Sequence, residues 1–163
     1  MVLVRKPTMD EWQVLRDIRL AALADAPHAF DSTYAEQAAF QEADWRRRIS
    51  HGTTFFGYVC GVNGTEPAGL VGGLQEEAGT VQLVFLWVRP QARGLGAGEA
   101  LVAAVIDWAK ARNASTVHLW LTETKMNKYA RLLYERCGFS PTGERQPLPS
   151  KPNLKEVGMA RSL

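Results

Sequence analysis

The sequence predicts an α+β fold, a mixed and mostly antiparallel central sheet of about seven strands with flanking helices. Three observations predict it. Apolar residues recur at helical spacing between Trp12 and Ser50, β-branched and aromatic runs fill Thr53 to Val88, and the two patterns then alternate to the C-terminus. The 163 residues, 46% hydrophobic and 22% charged, suffice for one packed core, so a single domain over residues 1–163 is expected.

The elements follow in order. Val2 to Val4 is a short apolar start. Thr8-Met9-Asp10-Glu11 places Thr at an N-cap and Glu at N3, a pair that can satisfy each other's backbone donors, so a helix should begin there. Trp12, Leu15, Ile18, Ala22 and Leu23 form its apolar stripe, and Asp25-Ala26-Pro27 breaks it. Further helical turns are expected over Thr33 to Phe40 and Asp44 to Ser50.

Thr53 to Val62, Ala68 to Gln75 and Thr80 to Val88 then read as an antiparallel meander, separated by Asn63-Gly64 and Glu77-Ala78-Gly79. A glycine-rich turn follows Val88-Arg89-Pro90. Next comes a helix from about Ala97 to Arg112, with Leu101, Val105, Trp108 and Ala109 toward the core, and a strand over Thr116 to Thr122. Asn127 to Cys137 repeats the helical period and stops at Gly138, which suits a left-handed C-cap. Phe139 to Glu144 and Leu154 to Ala160 read as two last strands across a Pro-rich loop, Gln146 to Pro152.

Bulk composition excludes several function classes. Nineteen Lys and Arg against seventeen Asp and Glu leave a net charge of +2, too balanced to advertise a nucleic-acid or membrane surface, so any anion must be bound locally. Cys60 and Cys137 form neither a disulfide framework nor a CxxC pair, and both read as small apolar fillers in a reducing compartment. No apolar stretch has the length of a signal peptide or a membrane span, so a cytoplasmic protein is expected. His28, His51 and His118 share no spacing with carboxylates that would make a metal triad, so surface or satisfied core histidines, and no metal, are expected. Arg46-Arg47-Arg48 reads as the charged face of a helix that buries Trp45 and Ile49.

The informative stretch is Gln91-Ala92-Arg93-Gly94-Leu95-Gly96-Ala97-Gly98, between a strand and a helix. Unpaired amides at a helix N-terminus can hold phosphate oxygens where no side chain intervenes. A P-loop is excluded because no Lys-Ser or Lys-Thr follows. A dinucleotide fingerprint fits poorly, because Glu99 stands where the third small residue belongs and His118 stands where an acid is needed.

In this context the residues carry a resemblance. Gln91-Ala92-Arg93-Gly94-Leu95-Gly96 is similar to the Q/R-x-x-G-x-G/A motif of the GCN5-related N-acetyltransferases, and Asn127 to Phe139 resembles that family's N-x-x-A-x-x-L-Y-E-x-x-G-F element. The strong likeness covers Phe85 to Phe139. It implies acetyl-CoA as co-substrate, bound in a splayed cleft between the Thr80 to Val88 and Thr116 to Thr122 strands. The amides of Gly94, Leu95, Gly96, Ala97 and Gly98 would hold the pyrophosphate, Arg93 would add positive charge, and Leu86 and Val88 would pair with the pantetheine arm. Asn127, Ala130 and Tyr134, at intervals of three and four, share one helical face.

By the same resemblance Tyr134 is the general acid for the departing thiolate and the Val88 amide the oxyanion donor. The strand before the glycine turn offers no carboxylate, which leaves Glu123, or Glu36, or a water chain, as candidate base. The implied acceptor is a primary amine of a small molecule or peptide, and a homodimer is compatible with the family. A non-catalytic CoA-binding sensor or interaction module on the same fold is the alternative. The early helices, Met9 to Ser50, and the loop Gln146 to Asn153 are expected to line the acceptor site.

Overall fold

The computed structural model describes residues 1–62, 64–77 and 79–163; Asn63 and Ala78, read above as turn residues, lie outside the described residues. The chain forms β1 (Val2–Arg5), a 3-10 turn (Met9–Glu11), α1 (Trp12–Asp25), α2 (Tyr34–Ala38), α3 (Glu42–Ser50), β2 (Thr54–Val59), β3 (Gly69–Gln75) and β4 (Thr80–Val88). A second 3-10 turn (Pro90–Ala92) leads to α4 (Ala97–Ala111), β5 (Thr116–Thr122), α5 (Lys128–Arg136), β6 (Ser140–Leu148) and β7 (Lys151–Ser162). All seven strands join one sheet in the order β1-β2-β3-β4-β5-β7-β6, and every pairing but β4 with β5 is antiparallel.

Helices cover both faces. Because side chains alternate across a strand, Val81 and Leu83 of β4 and Leu119 and Leu121 of β5 reach one face, where they pack with Leu101, Val105 and Ala109 of α4 and Tyr134 of α5. On the opposite face Leu15, Ile18 and Ala22 of α1 meet Trp45 and Ile49 of α3 over Phe56, Leu70 and Trp87. The start of α1 is clamped to the sheet. Thr8 N–H donates to Glu11 Oε2 at 2.7 Å, and the Arg5 guanidinium grips both Glu11 oxygens, at 2.7 and 2.9 Å, while also donating to Tyr58 Oη. That grip, chiefly the hydrogen bonds from Arg5, holds the Glu11 carboxyl at about 2, against an ordinary value of 4.5.

Three expectations need correction. The Pro-rich segment is not a loop: β6 runs to Leu148, β7 starts at Lys151, and Pro147 pairs opposite Lys155. Proline is tolerated because β6 is the sheet edge, where a missing N–H leaves no neighbour unpaired. Cys60 is no buried filler, since β2 ends at Val59 and Cys60 is exposed in the turn beyond it. His118 is only partly satisfied, with Nε2 3.3 Å from Glu144 Oε1 and a buried Nδ1 that has no partner among the described residues.

Candidate active site

The site begins where the sheet divides. β4 and β5 pair only at Thr80 with Thr116, Val81 with Val117 and Gln82 with His118; beyond these, β4 runs on to Val88 and β5 to Thr122 with a gap between them. A bulge accompanies the separation. β3 pairs Leu70 with Trp87 and then Gly72 with Val84, so Phe85 and Leu86 together oppose Val71, and the extra residue increases the local twist. Phe85 takes φ 53°, costly for a side chain with a Cβ. Its ring is stacked on Phe30 at 4.1 Å, with the Arg19 guanidinium 3.4 Å from its centroid, and these contacts offset the strain.

The end of β4 offers backbone to the gap. Arg89 N–H donates to Ala68 O at 2.7 Å, so antiparallel alternation turns the N–H and C=O of Val88 away from β3. Val88 O accepts from Arg93 Nε at 2.9 Å, and the side chains of Leu86 and Val88 pack against the α4 and α5 core. Arg93 Nη2 also donates to Asp25 Oδ2 at 2.9 Å, the same oxygen that accepts from Trp87 Nε1. Arg93 therefore ties the turn to both β4 and the end of α1, and part of the positive charge expected of it is met by Asp25.

The glycine turn presents bare backbone. Gly94 and Gly96 have φ of 77° and 88°, a region that glycine enters without strain. A Cβ at Gly94 would find nothing within 4 Å, and at Gly96 only Val2 Cγ2 at 4.0 Å, so the space beside both is open. Gly96 caps α4, and the N–H groups of Ala97 and Gly98 that follow have no intrahelical acceptor. Leu95 between the glycines is half exposed. Gly98 differs in cause, because a Cβ there would stand 2.8 Å from Leu133 Cδ2; its missing side chain lets α4 and α5 touch.

On the other side of the gap, Asn127 Nδ2 donates to Thr122 O at 2.8 Å and fixes the start of α5 to the end of β5. One turn on, Ala130 is half-buried, and Tyr134 is buried with its ring edge-on to Phe139 at 5.8 Å. Burial raises the Tyr134 phenol well above its ordinary value, with a smaller contribution from Cys137. Among the described residues its hydroxyl donates to no protein acceptor. Glu123 sits just past β5 in an open pocket of about 360 Å³ shared with Thr122, Lys125, Asn127, Lys128 and Arg131. Arg145 donates to its Oε2 through Nε at 3.0 Å and Nη2 at 2.7 Å. Glu36 lies exposed on α2.

Sequence reasoning missed Asp25, Arg19, Phe85 and Glu156. Arg19 stands four residues after Leu15, on the apolar stripe of α1, and a charge on such a stripe is a legible signal. Glu156 is buried between Thr122 of β5 and Gln146 of β6, and its Oε1 accepts from Gln146 Nε2 at 2.7 Å. Val157 and Met159 belong to the α4 and α5 face, so Glu156 points to the α1 side of the sheet. The expected acceptor-site loop is the tip of the β6-β7 hairpin. Ser150 N–H donates to Asp31 Oδ1 at 2.7 Å and Lys151 Nζ to Phe30 O at 3.1 Å, which joins the tip to the segment after α1.

Comparisons with known proteins agree with this geometry. A sequence model of the acetyltransferase (GNAT) family matches residues 15–139. The chain is 24% identical over 146 residues to the 5-NmdU N-acetyltransferase of Pseudomonas phage PaMx11, covering 88% of this chain and 91% of that one. An uncharacterized N-acetyltransferase of Methanocaldococcus jannaschii is 35% identical over 88 residues; the match spans half of this chain and only 38% of the relative. The solved structure of yncA from Salmonella typhimurium with its cofactor acetyl-CoA superposes with a TM-score of 0.77 over all of this chain and 94% of that one, at 17% identity, a likeness of fold. With a splayed sheet, an open glycine turn and a family model spanning most of its length, the chain belongs to the acetyltransferase (GNAT) family.

Proposed function

We propose that this protein is an acetyl-CoA-dependent N-acetyltransferase that acts on a primary amine by direct transfer, with both reactants bound together. The observation that carries the reading is the β4-β5 gap, which has unpaired backbone donors at one end and a buried phenol from α5 beside it. The residues present fit the cofactor. Bare backbone at Gly94 and Gly96, with the amides of Leu95, Ala97 and Gly98, suits a pyrophosphate, and Arg93 keeps Nη1 free of protein partners among the described residues. Leu86 and Val88 line the strand that the pantetheine arm would join, and Asn127 and Ala130 form the facing wall.

When bound, acetyl-CoA supplies an acetyl thioester for transfer to the amine nitrogen, with release of the thiol. The chain's own groups divide the remaining work. Val88 N–H donates a hydrogen bond from the strand end, where negative charge develops on the carbonyl oxygen. Tyr134 holds its hydroxyl proton throughout the neutral range, because burial disfavours the phenolate, and gives that proton up to the departing thiolate from the α5 side. Glu123 retains Oε1 without a partner among the described residues and serves as the acceptor of the amine proton.

Acetyl-CoA calorimetry followed by a thiol-release screen over amines and peptides tests the reading. Binding with turnover of at least one amine is expected. Binding without thiol release from any acceptor would leave a CoA-binding module, and no binding at about a millimolar would remove the cofactor assignment altogether.

A further inference from the structure

Arg19 is a half-buried cation that the fold has left without an acid. It leaves the middle of α1 on the buried stripe, its guanidinium lies 3.4 Å from the centroid of the Phe85 ring, and Phe30 stacks on Phe85 at 4.1 Å. Its hydrogen bond to protein is Nε to Gln37 Oε1 at 3.0 Å, and Gln37 is itself buried. Among the described residues Arg19 makes no ion pair. Partial burial, with repulsion from another cation, Arg48, lowers its pKa to about 9, so the group still carries its charge at neutral pH.

Withdrawing an unneutralised guanidinium partly from water is costly, and stacking on an aromatic ring offsets only part of that cost. An anionic ligand group would complete it. The position narrows the ligand. Phe85 lies in the β4 bulge, three residues past the last pair with β5, and Phe30 is held by the hairpin tip through Lys151, so Arg19 stands on the α1 face of the sheet beside the gap. With Nε engaged by Gln37, the two terminal nitrogens remain as a planar fork, and two parallel N–H groups match the two oxygens of a carboxylate.

We propose that Arg19 is a specificity-determining anchor for a carboxylate on the acceptor, so that the amine acetylated belongs to a small amino-carboxylate, its apolar part resting against the edge of the Arg19, Phe85 and Phe30 stack. The inference rests on the acetyltransferase reading of the same site and deepens it.

The test compares a panel of amino acids with the matching amines that lack the carboxylate and with matching aminophosphonates. Each is added to the protein with acetyl-CoA, with two readouts: thiol release, and the 15N resonance of Arg19 Nε. Wild type should prefer the amino acid over its decarboxylated amine by about 100-fold in kcat/KM, a typical worth for a charge-assisted bidentate contact, and the Nε resonance should move only with the anionic panels. Arg19→Met should erase the preference and the shift while acetyl-CoA affinity and melting temperature stay near wild type. Arg19→Lys, which keeps the charge but loses the fork, should restore part of the preference. A preference that survives Arg19→Met, equal use of amines with and without the carboxylate, stronger use of the phosphonates, or no response to any panel would each overturn the proposal. Amino acids that shift Nε but yield no thiol would uphold the anchor and sink the transferase reading, which separates the two.

Discussion

The two faces of the sheet are built differently, and the difference suits them to different work. The α4 and α5 face is mainly aliphatic and closely packed, down to the Gly98 and Leu133 contact, and the groups proposed to act there are backbone amides and one buried phenol. The α1 face is aromatic and carries side-chain charge: Arg19 on Phe85, the buried Glu156, and Lys151 reaching Phe30 O. Backbone donors at a helix N-terminus suit a ligand part that never varies, whereas side chains from several segments can be exchanged one at a time. A face of the first kind suits a fixed cofactor and one of the second kind an acceptor that differs between relatives.

Four substitutions break or sharpen this contrast, taken from the largest expected effect to the smallest. Tyr134→Phe removes one hydroxyl from the α4 and α5 face and keeps the ring against Phe139. Turnover should fall by about 10²- to 10⁴-fold with acetyl-CoA affinity and melting temperature nearly unchanged. A kcat equal to wild type at every pH would leave Tyr134 a packing residue. Gly96→Val forces a β-branched residue to φ 88° beside the open turn, so acetyl-CoA should bind about 10- to 100-fold more weakly by calorimetry. Pantetheine fragments without phosphates should lose far less; an equal loss would argue against a phosphate cradle.

Glu11→Gln tests how firmly α1, and Arg19 with it, is seated. The folded carboxyl titrates at about 2 instead of 4.5, so its contribution is complete above the unfolded value and disappears as pH falls from about 4.5 toward 2. The variant should be less stable than wild type by about 1–2 kcal/mol near neutral pH, after allowance for the solvent exposure of Arg5, and the two urea midpoints should converge near pH ~2. A gap that persists in acid would trace the loss to packing instead of charge. Smallest of all, Asp31→Ala releases Ser150 N–H at the hairpin tip. A rise in acceptor KM of about two- to fivefold is expected with cofactor affinity unchanged, since an exposed hydrogen bond is worth roughly 1 kcal/mol. A change in acetyl-CoA affinity instead would mean that the two faces are not independent.

The contrast also explains what could be read from the sequence. The bounds of β4 and β5 are legible to the residue, because β-branched and aromatic runs there end at Pro90 and Glu123. The glycine turn and the Asn127 to Tyr134 face are legible because each is local, with its spacing written in consecutive residues. The face proposed for the acceptor comes from α1, the segment after it, the β4 bulge and the β6-β7 hairpin, and only the folded chain brings these together. No local pattern announces that Phe85 adopts a positive φ or that Glu156 faces α1. The Pro-rich strand end was misread because proline reports on the backbone of one residue, and whether its missing N–H matters depends on which strand lies at the sheet edge.

The short junction between β4 and β5 makes the sheet two leaves on a hinge. Four strands lie on one side and three on the other, and along the sheet only the pairs from Thr80 with Thr116 to Gln82 with His118 bind leaf to leaf. From Gln82 to Val88 the strand runs about 20 Å at ~3.3 Å per residue, so one degree of rotation at the hinge moves the jaw by roughly a third of an ångström. A hydrogen bond weakens over a few tenths of an ångström, so the bond proposed for the Val88 amide is sensitive to the angle of the leaves.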